Sequence, residues 1–125
     1  MIVIDASALL GFISGEPGCS SVGPRLPEAV MSCVNLSEVL ARLARDGHDV
    51  AAAAEQIRRT GVQIVPFDEA AARAAATLTR AVRSHGLGIG DRACLALAQL
   101  RGRPAVTADR VWAQLDIGIT VEVLP

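Results

Sequence analysis

Short runs of β-branched residues alternate along this chain with longer stretches rich in Ala and Leu. Ile2-Val3-Ile4 reads as a buried strand, followed by a short helix over about 7–13 that Gly15 and Pro17 end. The stretch 19–26, broken by Gly23 and Pro24 and followed by Pro27, has no regular period. A second strand over 30–34 runs straight into a helix from Asn35 to about Asp46, which Gly47 stops. A helix over 49–59 ends at Gly61, and Val62-Gln63-Ile64-Val65 forms a third strand before Pro66. Asp68 caps an Ala-rich helix that continues to about Ser84. The glycine-rich loop 85–90 follows, and Asp91 opens a helix to about Leu100. Ala105-Val106-Thr107 is a fourth strand, a short helix covers 110–114, and 119–123 alternates as an edge strand. Strands separated by helices need crossover connections and hence a parallel sheet, so the expected class is α/β in three layers.

A length of 125 residues suits one domain spanning 1–125, and 51% hydrophobic against 20% charged residues excludes a disordered chain. No apolar stretch approaches the ~20 residues of a membrane span, and the N-terminus has no signal-peptide pattern. Three cysteines, Cys19, Cys33 and Cys94, without CxxC spacing suggest reduced thiols in the cytoplasm rather than a disulfide or zinc framework. All twelve basic residues are arginine. The lack of lysine excludes phosphate-loop NTPases, Schiff-base chemistry and lysine-dependent phosphotransfer. Without tyrosine, and with Phe12, Phe67 and Trp112 as the only aromatics, base-stacking platforms are also excluded. His48 and His85 both fall in surface-like stretches.

The informative pattern is where the acids fall. Asp5 follows the first strand, Glu38 lies one turn into the helix after the second, Asp91 opens a helix at the glycine-rich loop, and Asp109 follows the fourth strand. Ligands of an open parallel sheet bind beyond the carboxyl ends of the strands, where these four would meet. Converging carboxylates repel, and all-oxygen donors select a hard cation, Mg²⁺ with Mn²⁺ able to substitute. With no histidine, lysine or reactive cysteine among them, the natural chemistry is metal-assisted phosphodiester hydrolysis by water, leaving a 5′-phosphate and a 3′-hydroxyl. Each acid also has a plainer reading. Asp5, Asp91 and Asp109 suit helix starts, and Asn35-Leu36-Ser37-Glu38 has the form of a capping box, with Glu38 also spaced to pair with Arg42.

Four segments resemble the motifs of PIN-domain nucleases, in family order: Ile2-Val3-Ile4-Asp5-Ala6-Ser7, Asn35-Leu36-Ser37-Glu38-Val39, Leu87 to Ala98 around Gly90-Asp91-Arg92, and Val106-Thr107-Ala108-Asp109-Arg110. Length, order and spacing resemble the VapC toxins of type II VapBC toxin–antitoxin pairs from end to end. The resemblance implies a three-layer fold with sheet order about 3-2-1-4-5. It implies metal-binding, catalytic roles for Asp5, Glu38, Asp91 and Asp109, with Ser7, Asn35 and Thr107 as supporting neighbours. It further implies a structured RNA substrate (tRNA or rRNA), a homodimer, and a VapB-like antitoxin seated in an apolar groove. That groove would be lined by residues 8–13 and by Cys19, Val22 and Leu26. Setting the four acids aside leaves nine acidic residues against twelve arginines, a surface of +3 that suits phosphate contacts. Arg92, Arg110, Arg42 and Arg45 are the candidate RNA-binding residues. Two alternatives remain: a PIN nuclease of RNA processing, and a non-cleaving PIN-like module that binds RNA or a partner.

Overall fold

The computed structural model describes all residues, 1–125. Five strands form one parallel sheet: β1 (Ile2–Ile4), β2 (Ala29–Ser32), β3 (Gln63–Val65), β4 (Ala105–Thr107) and β5 (Val121–Val123). They lie in the order β3-β2-β1-β4-β5. Six helices connect them: α1 (Ala6–Ile13), α2 (Cys33–Arg45), α3 (Val50–Arg59), α4 (Glu69–Thr77), α5 (Thr79–Arg83) and α6 (Ile89–Arg101). Two 3₁₀ segments, Ser20–Glu28 and Arg110–Gln114, complete the chain.

Alternation along the central strands divides the core into two layers. Ile2, Ile4, Met31 and Val106 face one side, where they pack with Leu9 of α1, Val39 and Leu43 of α2 and Ile57 of α3. Val3, Val30 and Ala105 face the other, against Ala75 of α4, Val82 of α5, the buried run Cys94–Ala98 of α6, and Trp112. A strand buried on both faces reads as a continuous apolar run, which is why Ile2-Val3-Ile4 stands out in the sequence.

Four details differ from the sequence reading, three through local hydrogen bonding and one through packing on the core. The α2 helix starts at Cys33, not Asn35, because the Ser32 hydroxyl accepts the Val34 amide at 3.2 Å and so caps it. Asn35 is therefore inside the helix and wholly buried. The α6 helix starts at Ile89, with Gly88 as its cap, and Asp91 sits in its first turn. The expected long helix over 68–84 is two helices meeting at Leu78. There the Thr77 hydroxyl donates to the Arg73 carbonyl at 2.9 Å, a back-bond that bends helices. Finally, the aperiodic stretch is a 3₁₀ segment whose Cys19, Val22 and Leu26 are buried in the core. They cover the sheet and do not line a groove. The Arg25 guanidinium holds this segment to β5 by a two-pronged ion pair with Glu122, at 2.6 and 2.9 Å.

Candidate active site

Strand order reverses at β1, since the chain moves from β1 to β2 and β3 on one side and returns to β4 and β5 on the other. The switch point of a parallel sheet leaves a crevice beyond the strand ends, and Asp5 and Asp109 both emerge there, after β1 and β4. Asp5 is 4% exposed, and its Oδ2 accepts from the Ser7 hydroxyl at 2.7 Å and the Thr107 hydroxyl at 3.0 Å. Both hydroxyl protons are thereby committed, so the 3.1 Å approach of Ser7 Oγ to Thr107 Oγ1 is a contact between two acceptors. The same oxygens accept backbone donors, Ala108 N on Ser7 and Asp109 N on Thr107, each at 3.0 Å. Ser7 and Thr107 thus tie the end of β1 to the end of β4 and fix Asp5 between them. Asp109 caps the next 3₁₀ turn, its Oδ1 accepting from Val111 N at 3.0 Å.

The other two acids arrive on helices. Asn35 Nδ2 donates to Glu38 Oε1 and to the Gly90 carbonyl, both at 2.9 Å, bringing α2 and α6 together. Glu38 therefore does not close a capping box on its own helix end, and Arg42 pairs with Asp46 at 3.4 Å instead of with Glu38. Asp91 Oδ2 accepts from Gly88 N at 3.1 Å. The plainer reading of Asp91 and Asp109 as helix-start acids holds locally, Asp91 in the first turn and Asp109 at the cap, but each uses one oxygen for it. The second oxygens of Glu38, Asp91 and Asp109 take no hydrogen bond within the protein.

Electrostatics show how closely the four are gathered. The Asp91 carboxyl is pushed up to about 6, first by burial and then by repulsion from Asp5, against the Gly88 amide and with smaller contributions from Glu38 and Asp109. Burial also raises Asp5, against the two hydroxyls. Glu38 is raised by desolvation and by Asp5, against the Asn35 amide. Despite twelve arginines in the chain, none pairs with any of the four. No three of the carboxylates yet stand in ligand geometry around one point. Oxygen-only donors with free lone pairs and no internal counter-charge nevertheless fit a hard divalent cation that keeps part of its water. Asp5 would be the fixed member of such a set, and the half-buried Asp91 and Asp109 with the exposed Glu38 the members that adjust.

The arginines are divided. Arg92 points onto the α4–α5 junction, donating to Thr79 Oγ1 at 3.2 Å and to the Ala75 carbonyl at 3.5 Å. Arg45 and Arg110 are exposed and free of ion pairs. Of the expected groove, Leu9, Phe12 and Ile13 line an apolar cavity of about 280 Å³ between α1, α2 and α3, with His48 at its rim. Two further residues escaped the sequence reading. A Cβ at Gly90 would overlap the Glu38 carboxylate as it stands, so a side chain there would displace that carboxylate. Cys94 lies wholly buried one turn beyond Asp91, its thiol raised well above the ordinary range by burial and by the nearby Asp5, Asp91 and Glu38. The signal for Gly90 was present, as a glycine directly before the acid, but a loop-forming role explained it equally well.

A family model, the PIN domain, matches residues 2–118. None of the curated proteins compared with the chain matches it. Solved structures do. VapC20 of Mycobacterium tuberculosis, a sarcin-ricin loop cleaving toxin, is 23% identical over all of both chains with a TM-score of 0.76. A toxin–antitoxin complex from Klebsiella pneumoniae aligns at 18% identity over 90% of this chain and 91% of the other, with a TM-score of 0.73. FitAcB from Neisseria gonorrhoeae aligns at 18% identity, over 97% and 96%, with a TM-score of 0.72. At these identities what is shared is the fold.

Proposed function

Because the chain belongs to the PIN-domain family, and because four uncompensated carboxylates meet at its sheet's switch point, we propose that it is a divalent-cation-dependent endoribonuclease acting as the toxin of a toxin–antitoxin pair. The observation that carries this reading is that Asp5, Glu38, Asp91 and Asp109 come together beyond the strand ends with no arginine paired to any of them, burial and then repulsion from Asp5 pushing Asp91 up to about 6. Asp5, Asp91, Asp109 and Glu38 would hold Mg²⁺ or Mn²⁺. When bound, such a cation polarises a phosphodiester and makes water a stronger nucleophile at neutral pH.

The chain's own residues supply position and proton handling. Ser7 and Thr107 hold Asp5 still, so the charge at the base of the cleft does not wander. Glu38, the most exposed of the four, would orient the attacking water and take its proton. In-line attack would form a phosphorus–oxygen bond to the water as the bond to the 3′ oxygen breaks, that oxygen taking a proton from solvent to leave as a hydroxyl while the phosphate stays on the 5′ side. RNA is drawn by the positive remainder of the surface, with the unpaired Arg45 and Arg110 as phosphate contacts. A VapB-like antitoxin would cover the apolar cavity edged by Phe12 and Ile13, and the active protein would be a cytoplasmic homodimer. No helix is long and apolar enough to cross a membrane.

Antitoxin-free protein incubated with total cellular RNA tests this reading. Discrete cuts with Mg²⁺ or Mn²⁺, abolished by EDTA and by Asp91→Asn, are the expected result. Cutting that persists in EDTA, or in folded Asp91→Asn at the wild-type rate, overturns the site. Intact RNA with folded, cation-loaded protein favours a non-cleaving module.

A further inference from the structure

Asn35 is the one wholly buried amide side chain in the molecule, and its contacts join two halves of the acid cleft. Both N–H protons of its Nδ2 are used, one on Glu38 Oε1 and one on the Gly90 carbonyl, each at 2.9 Å. Its Oδ1 is buried with no partner. An unpaired buried oxygen costs stability, so this position is tuned for its two donors at the expense of its acceptor. The Gly90 carbonyl belongs to the first turn of α6, one residue before Asp91, so the same amide that holds Glu38 also sets the register of the helix carrying Asp91. Gly90 completes the arrangement from the other side. Glu38's carboxylate lies where a Cβ would be, so only glycine leaves that place to it.

We propose that Asn35 and Gly90 form a positioning clamp that holds the Glu38 carboxylate in the cleft beside Asp91, so that the two present one cation site. This inference rests on the cation-binding reading above and adds to it that Glu38's share in binding depends on Asn35. Neither Asn35 nor Gly90 would touch the cation. Without the amide, the exposed Glu38 swings toward solvent, as its charge and its repulsion from Asp5 and Asp91 favour.

The test is a double-mutant cycle read by Mn²⁺ binding, using electron paramagnetic resonance and calorimetry, with metal-free melting as the control for folding. Asn35→Ala is expected to weaken Mn²⁺ binding about tenfold, the usual size for loss of a partner behind a ligand. Gly90→Ala is expected to weaken it comparably while leaving the Asn35 side chain intact. In a Glu38→Gln background, Asn35→Ala should weaken binding by less than about twofold, because the carboxylate it positions is gone. A purely structural role would produce the same factor in both backgrounds, and that equality overturns the proposal. So does unchanged affinity in Asn35→Ala. If Asn35→Ala fails to fold, Gly90→Ala decides, and wild-type affinity there overturns the clamp. Absence of Mn²⁺ binding by the folded wild type overturns the cation reading and the clamp together, whereas wild-type binding with unaffected variants overturns the clamp alone.

Discussion

Glu122 and Asp91 are both partly exposed carboxylates near the sheet, yet they are moved in opposite directions. Glu122 is lowered because the Arg25 guanidinium donates to both its oxygens. Asp91 is raised because burial and its acidic neighbours oppose its charge. In the first place the fold brings its own counter-ion. In the second it assembles four acids and turns the adjacent arginine, Arg92, away onto Thr79. Like charges gathered without an internal partner oppose one another's ionisation, a cost that the cation of the proposed function would offset. Asp49 and Asp68 sharpen the contrast. They cap α3 and α4 with the same chemistry, one oxygen accepting a backbone amide at 2.9 Å in each.

The largest effect on this comparison should come from Ser7→Ala. It removes a donor from buried Asp5 and leaves the Ala108 amide without its acceptor, which should cost about 1–3 kcal/mol in urea unfolding. The loss should be greater at pH 7 than at pH 4, since the hydroxyl stabilises the ionised carboxylate.

A smaller effect should follow pH in the metal-free protein. Asp5, Glu38 and Asp91 are all raised above their ordinary values, so their contribution to stability is fully present below pH ~4. It is lost as pH rises through the folded value, about 6 for Asp91. The melting temperature should therefore fall by about 3–5 °C between pH 4.5 and 7, allowing for solvent screening of the half-exposed groups. Millimolar Mg²⁺ should restore it at pH 7 and do little at pH 4.5. A melting temperature indifferent to both pH and cation would remove the contrast with Glu122.

The smallest effect is expected at the self-compensated pair. Glu122→Gln should cost less than about 1 kcal/mol, because both partners are about a third exposed or more. Mn²⁺ affinity should be unchanged. A marked loss of affinity there would mean that β5 supports the cleft after all.

Much of this molecule is legible along the chain because the relevant forces are local. Strands β1, β2 and β4 must be apolar on both faces to lie inside a parallel sheet, and glycines at 47, 61 and 102 end helices with positive φ. Acids placed directly after such strands are visible before any fold is known. Helix starts are less so, since Ser32 and Gly88 compete as caps with the neighbouring Asn35 and Asp91, and one hydrogen bond settles each. Other features arise from contacts across long sequence separations. The Asn35 bond to Gly90 spans 55 residues, the Thr107 bond to Asp5 spans 102, and no local pattern encodes either. The burial of Cys19, Val22 and Leu26 likewise follows from what lies beneath them, which their own irregular stretch does not reveal. The chain's pattern thus specifies which residues are acidic and where strands end. Packing across the sheet specifies which oxygens are left free, because a carboxylate's partners depend on neighbours that meet it only when the layers close.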